Sequence, residues 1–236
     1  MKYMGSKRKI SKYIIPIMVK NRKLDQYWVE PFVGGANLID KIEGNRIGAD
    51  VNKYIIETLK VIRDDPKKFP NKKITKEQYN FFRKNLKKFP DWYIGFLGTT
   101  NTFGSKFLGT YAKGKNSKEK ERNYSEEGCK NAIKQSPNLK GVEFICISYK
   151  DLTIPENSII YCDPPYKGTC GYKVKFNHDE FFEWCRLKTR EGHTVYISEY
   201  TAPEDFTCIW EKEVTVNLNN QSSKLRPTEK LFIYKI

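Results

Sequence analysis

Residues 28–37 read WVEPFVGGAN, and residues 46–50 read RIGAD. The first stretch is an apolar run, 28–32, that ends in a turn of small residues, 33–37. The second is a short strand closed by the carboxylate of Asp50. A helix is expected to start over 38–42 behind the turn, and another over 54–64 behind Asp50. Strand, loop, helix, strand, helix is the opening of a parallel nucleotide-binding sheet. Upstream, 10–19 reads as a short amphipathic helix. The same βα rhythm returns late in the chain, with strands over 142–148, 158–162 and 194–199, a helix over 178–189, and a closing antiparallel pair, 213–216 with 231–235. The expectation is an α/β fold with a Rossmann-like sheet, residues 1–63 and 141–236, interrupted by a small, mostly helical insertion over 64–140.

The insertion differs in composition. Lysine-rich helical segments alternate with the aromatics Tyr79, Phe81, Phe82, Phe89, Trp92 and Tyr93, and a Gly-, Thr- and Asn-rich loop follows over 98–116. Residues 64–140 hold 18 Lys or Arg against 8 Asp or Glu, so most of the chain's formal charge of +15 lies here. Such a balance makes a polyanion the first partner to consider, the bland alternative being a lysine-rich surface that is merely solvated.

Six cysteines, Cys129, Cys146, Cys162, Cys170, Cys185 and Cys208, are scattered without a CxxC pair, and neither His178 nor His193 lies near one. Free thiols in the cytoplasm or another reducing compartment are expected, and no metal site. The apolar stretch 13–19 is too short to span a bilayer, so no membrane is expected as a partner.

In an open α/β sheet the ligand crevice lies beyond the carboxyl ends of the strands. Three informative turns fall at such ends: the glycine turn after 28–32, Asp50 after the second strand, and the sequence DPPY, Asp163 to Tyr166, after the fourth. Glycines let a ligand approach the backbone, and an acid at the second strand end can take both hydroxyls of a ribose. Neither GxGxxG nor GxxxxGK[ST] occurs, so the phosphate cradles of dinucleotide and P-loop sites are missing. A ribose acid with a glycine turn and no phosphate cradle fits S-adenosylmethionine better than NAD or ATP.

DPPY carries the more specific chemistry. An exocyclic amino group on a base is a poor nucleophile because its lone pair is delocalised into the ring. Two fixed acceptors, the Asp163 carboxylate and the Pro164 carbonyl, can bond both amino hydrogens and favour tetrahedral character at nitrogen. Pro164 and Pro165 restrict φ and remove donors, which holds the acceptors still. Tyr166 can stack on a base taken out of its helix. The plain alternative is a proline turn with an aromatic for packing; the order of the three turns, with a basic segment between them, argues against it.

The sequence resembles the Dam-type family of DNA adenine N6-methyltransferases, and the resemblance spans nearly the whole chain. It starts with KYMGSK at 2–7 and continues through VEPFVGGANLI, GADVN, FICISYKDL, YCDPPYKGT, VYISEY and PTEKLF. It implies that Tyr3 and Lys7 close over the cofactor, that Phe32, Gly34, Gly35 and Asn37 line its methionine and ribose region, and that Asp50 holds the ribose. Ser148 and Tyr149 would border its adenine, Asp163 would stand at the edge of both sites, and Asp163, Pro164, Pro165 and Tyr166 would clamp the target base. The implied reaction is direct in-line methyl transfer to the amino nitrogen of a flipped adenine in double-stranded DNA, without a covalent intermediate or metal. GATC is the recognition sequence the resemblance suggests. The family turn has glycine where this chain has Ala36; alanine can fit there if φ stays negative, and is expected to alter the loop more than to abolish binding.

For DNA, Lys106, Lys113, Lys115, Arg122 and Arg226 are the candidate phosphate contacts, and Asn101 and Thr102 the candidate readers of base edges. Methylation of RNA or of a protein amide remains a rival reading, as does a nucleic-acid-binding relative without catalysis. Cys162 beside the motif is expected to be a buried, inert thiol. No nuclease motif is visible, so a cognate restriction endonuclease would be a separate chain, and the enzyme is expected to work as a monomer or weak dimer.

Overall fold

Trp28, Val29 and Glu30 are all buried, the pattern of a central strand covered on both faces. In the computed structural model, which describes residues 1–166, 176–213 and 228–235, this strand, β1 (Trp28–Glu30), lies in the middle of a seven-stranded sheet. The others are β2 (Arg46–Asp50), β3 (Val142–Cys146), β4 (Ile159–Cys162), β5 (Thr194–Glu199), β6 (Phe206–Glu213) and β7 (Thr228–Tyr234), in the order β3-β2-β1-β4-β5-β7-β6. The first five positions are parallel; β7 runs antiparallel to both β5 and β6. The chain works outward from β1 to β2 and β3, then returns to place β4 on the other side of β1. That reversal opens a crevice at the carboxyl ends of β1 and β4. The glycine turn and DPPY sit at those two ends, which is why residues about 130 positions apart share one site.

Alternation along the strands divides the core into two layers. Trp28, Tyr161 and Leu231 face Ile14 and Met18 of α1 (Ser11–Val19) and Ile55, Ile56, Leu59 and Ile62 of α2 (Lys53–Asp64). Val29, Ile160 and Ile197 face Phe181, Trp184 and Cys185 of α6 (His178–Arg190).

The segment after α2 contributes α3 (Lys76–Lys84), α4 (Asp91–Thr100) and α5 (Tyr124–Leu139). Its apolar residues Tyr79, Phe82, Ile94, Leu97, Ala132 and Leu139 join the same core layer as α2. Helices α2 and α4 meet at Gly95, where a Cβ would stand 2.1 Å from both Thr58 Oγ1 and the Tyr54 carbonyl. Thr58 Oγ1 donates to Tyr54 O (2.7 Å) and Trp92 O (2.9 Å), binding the two helices by a buried hydroxyl.

Two elements differ from the sequence reading. Residues 38–42 form a 3₁₀ turn, Ile39–Lys41, in place of a helix start. Only one turn fits before Gly44, whose φ of +77° redirects the chain toward β2. The outer strand of the last pair is Phe206–Glu213, earlier than 213–216, and 214–216 fall outside the described residues. As an edge strand it is fully buried only at Phe206, so its apolar period is weak. Among the described residues no helix is long and apolar enough to cross a membrane.

Candidate active site

Buried strand β4 delivers Asp163 to the crevice, and the two prolines after it stop the chain from continuing as strand or helix. Lys7, on the 3₁₀ turn Lys7–Lys9, meets it: Nζ lies 3.0 Å from Asp163 Oδ1 and 3.5 Å from Glu229 Oε2. The Tyr166 hydroxyl donates to Glu229 Oε2 at 2.7 Å, and Lys7 Nζ lies 4.3 Å from the centre of the Tyr166 ring. Tyr200, just past β5, packs edge-on against that ring at 4.6 Å. One ammonium thus serves two carboxylates and an aromatic face. Burial pushes the Asp163 carboxyl up to about 6, with Lys7 pulling it down and Glu229 adding to the rise. Burial opposes the Lys7 charge, yet attraction to Asp163 and Glu229 outweighs it and its pKa is raised.

The glycine turn lies across the crevice. Gly34 has φ +46°, and a Cβ there would meet the Tyr3 ring at 2.7 Å; at Gly35 it would stand 2.6 Å from Tyr3 Cβ and from Asn37 Nδ2. Both glycines are therefore set by the residue that closes over them. Asp50 braces the turn, accepting the Gly34 amide at 3.2 Å and the Asn52 amide at 2.9 Å. Burial drives its carboxyl up to about 6 against those backbone N–H groups. Buried Asn37 has neither amide nitrogen nor oxygen hydrogen-bonded among the described residues, an open donor and acceptor beside the turn.

At Ala36 the condition of a negative φ is not met. Its φ is +52°, in the left-handed region, where a side chain is strained by about 1 kcal/mol. Gln135 of α5 holds that geometry: its Nε2 donates to the carbonyls of Gly35 (3.2 Å) and Ala36 (2.9 Å) and to Asp40 Oδ2 (2.9 Å).

Beyond β1 and β3, Phe32 and Tyr149 bring their rings to 5.3 Å, and Tyr149 is wedged edge-on against Trp184 at 5.2 Å. Ser148, the residue before, accepts the Lys150 amide at 3.3 Å. On the other side of the DPPY turn a cleft of about 210 Å³ opens beside Pro164, lined among others by Phe181, Phe182, Thr201 and Pro203. Cys162 is fully buried against Cys185, whose thiol burial pushes well above its ordinary value. Among the described residues no group of three or more His, Cys, Asp and Glu side chains could hold a metal.

The residues assigned to DNA fare differently. Asn101 and Thr102, the expected readers of base edges, are buried here and offer almost no surface to a base. Asn101 Nδ2 donates to Ser125 Oγ at 3.1 Å and Thr102 Oγ1 to Thr99 O at 3.1 Å, so these polar groups satisfy the helix end and loop. Arg122 is held by Glu127 through two bonds of 2.8 and 2.5 Å, and Lys115 is paired with Glu119 at 3.0 Å. Glu127 also takes Lys2, and chiefly through Arg122 its carboxyl is held down to about 2. Lys106 and Lys113 are exposed. Arg226 lies outside the described residues.

Sequence reasoning missed Glu229, although PTEKLF contains it, because its partners Lys7 and Tyr166 are remote in the chain. It also missed Glu30, buried at the end of β1, which accepts from Trp28 Nε1 at 2.9 Å and which burial pushes up to about 8. A third miss is a basic aromatic patch in which Tyr13 stacks on Trp210 with Lys12 and Lys212 over its ring.

Residues 3–201 match the family described as D12 class N6 adenine-specific DNA methyltransferase. The type II methyltransferase M.FokI of Planomicrobium okeanokoites is 26% identical over 206 residues, 79% of this chain and 31% of that protein. The chain therefore spans about a third of that relative's length. Among solved structures, the tRNA (m1A58) methyltransferase TrmI of Aquifex aeolicus superposes with a TM-score of 0.40 at 11% identity, over 97% of this chain and 68% of that one. SMU.472 in complex with SAH gives 0.38 at 10%, over 98% and 52%. With the motif order and the crevice geometry in agreement, and the match covering most of its residues, the chain belongs to the D12 class N6 adenine-specific DNA methyltransferase family.

Proposed function

We propose that this protein transfers a methyl group from S-adenosylmethionine to the N6 amino group of an adenine flipped out of double-stranded DNA. The observation that carries the reading is the meeting of the DPPY turn and the glycine turn at the switch point of the sheet, with Asp163 ion-paired to Lys7 between them. S-adenosylmethionine, when bound, supplies an electrophilic methyl group. The open amide of Asn37, the Gly34–Gly35 backbone under Tyr3 and the carboxylate of Asp50 fit a nucleoside with polar substituents and would hold it, with Phe32, Ser148 and Tyr149 bordering its base.

The chain's own groups do the rest. Asp163 and the Pro164 carbonyl accept the two amino hydrogens and keep the nitrogen lone pair off the ring, and Tyr166 offers its face to the base. Asp163 must be ionised to accept, so its raised pKa implies that kcat/KM falls as pH drops through about 6. Lys7 must give way, since its ammonium stands both on Asp163 and over the Tyr166 ring.

Residues 64–140 serve as the target-recognition insertion, supported by their basic excess and by exposed Lys106 and Lys113. The recognition sequence belongs to this same proposal, with GATC as the first to try. So does a role in restriction and modification beside a separate endonuclease, for which the similarity to M.FokI speaks. An intracellular monomer or weak dimer completes the reading.

The test is transfer of labelled methyl from S-adenosylmethionine to unmethylated duplex DNA, followed by nucleoside analysis and methylation-aware sequencing. Label in N6-methyladenine at one short motif is the expected result. Cofactor binding without label on DNA, and with label on RNA or a protein amide, would overturn it.

A further inference from the structure

The clamp poses a problem of charge. Lys7 Nζ occupies one acceptor oxygen of Asp163 at 3.0 Å and lies 4.3 Å from the centre of the Tyr166 ring, the two places a flipped base would take. Lys7 is 8% exposed, and a buried ammonium stripped of its counter-charge is strongly destabilised. For the base to enter, Lys7 has to leave Asp163 without losing a carboxylate partner. Glu229 Oε2 is already 3.5 Å from Nζ, and β7 holds it there: its residue Glu229 pairs with Lys212 of β6, and the next, Lys230, pairs with Glu199 of β5. The same oxygen accepts the Tyr166 hydroxyl at 2.7 Å, so it also orients the ring on which the base would stack.

We propose that Glu229 is a positioning residue of the methyl-transfer site, which receives the Lys7 ammonium when Asp163 engages the adenine amino group and latches Tyr166 by its hydroxyl throughout. This rests on the clamp reading of Asp163 given above. Glu229 touches neither substrate nor cofactor; it acts through Lys7 and Tyr166. Among the described residues, the charged and titratable groups that face Asp163 are Lys7 from the N-terminal turn, Glu229 from β7, Tyr166 from its own loop, Tyr161 from β4, Tyr200 beyond β5, and Glu30 at the end of β1. Glu229 is the carboxylate among them that contacts Lys7 besides Asp163.

E229Q keeps the shape and an acceptor for the Tyr166 hydroxyl and removes the charge. In the full-length protein, two readouts are compared with wild type: the ionisation midpoint of the Asp163 carboxyl by NMR titration, and the pH profile of kcat and KM for methyl transfer to duplex DNA. Glu229 repels the Asp163 charge, so its neutralisation moves the Asp163 midpoint and the acidic limb of kcat/KM to lower pH. Lys7 loses its second partner, so kcat at neutral pH falls by about tenfold or more, the scale of one charge-assisted contact, while cofactor affinity is unchanged. E229D, which keeps the charge, restores the limb; if E229Q loses its cooperative melt, Y166F, which removes only the hydroxyl that Glu229 holds, stands in and lowers kcat with cofactor affinity unchanged, an undiminished kcat overturning the proposal. An unmoved Asp163 midpoint in a folded E229Q, or a moved midpoint with undiminished kcat, overturns the proposal. A wild-type protein with the Glu229-dependent titration that methylates no DNA sinks the functional reading and leaves the Lys7–Glu229–Asp163 coupling standing.

Discussion

The crevice and the loop over residues 101–122 handle charge in opposite ways. In the crevice, Lys7, Asp163 and Glu229 come from the N-terminal turn, β4 and β7, are largely withdrawn from water, and depend on one another. In the loop and its flanks, Lys115 and Arg122 find acids four and five residues away, Lys106 and Lys113 stand in solvent, and the groups that are buried, Asn101 and Thr102, are uncharged. Charges set by a sheet are expensive and hard to exchange; charges set by near neighbours on a surface are each worth little. The difference separates charges that the tertiary fold forces together from charges that neighbouring residues settle among themselves.

Breaking the crevice should therefore have the largest effect. Asp163→Ala is expected to lower methyl transfer by at least about 10³-fold, the upper range for loss of one preorganised polar group, while the thermal melt stays cooperative. Substantial turnover would end the clamp reading. In the wild type, kcat/KM should fall about tenfold per pH unit below about 6, because the acceptor form of Asp163 in the free enzyme is lost as it protonates. A flat profile down to pH 5 would show that Asp163 ionisation does not limit the reaction. Asp50→Ala removes the brace of the Gly34 amide, and cofactor affinity by calorimetry should drop about tenfold or more, with DNA affinity little changed. Equal loss of both would place Asp50 outside the ribose site.

The loop should respond more gently. Lys106→Ala and Lys113→Ala are each expected to reduce the salt slope of DNA binding by about 1, whereas Arg122→Ala should change it less, because Glu127 already neutralises the guanidinium. Equal slopes for all three would erase the contrast between paired and free cations. Smallest of all, Ala36→Gly relieves a left-handed alanine and should raise the melting temperature by about 2–4 °C. A lower melting temperature would show that Gln135 and the buried methyl group outweigh the strain.

Much of the architecture could be read from the chain. The strands at 28–30, 46–50, 159–162 and 194–199 lie within the expected runs because apolar period, turn residues and strand ends are local properties. The DPPY turn and the glycine turn stand at strand ends for the same reason. Other features escaped that reading. Asn101 and Thr102 look like recognition residues in a polar loop, and only packing against Ser125 and the end of α4 reveals that they are internal caps. The sign of φ at Ala36 depends on Gln135, 99 positions away.

By itself, then, the sequence determined the parallel α/β order, the DPPY turn, the basic segment and family membership, because periodicity, motif and composition are carried by neighbouring residues. Tertiary structure alone decided that Glu229 shares Lys7 with Asp163, that Gln135 holds the glycine turn, and which cations of the insertion are exposed or already paired. Those outcomes depend on which distant groups lose their water together, and that is settled only when the sheet closes.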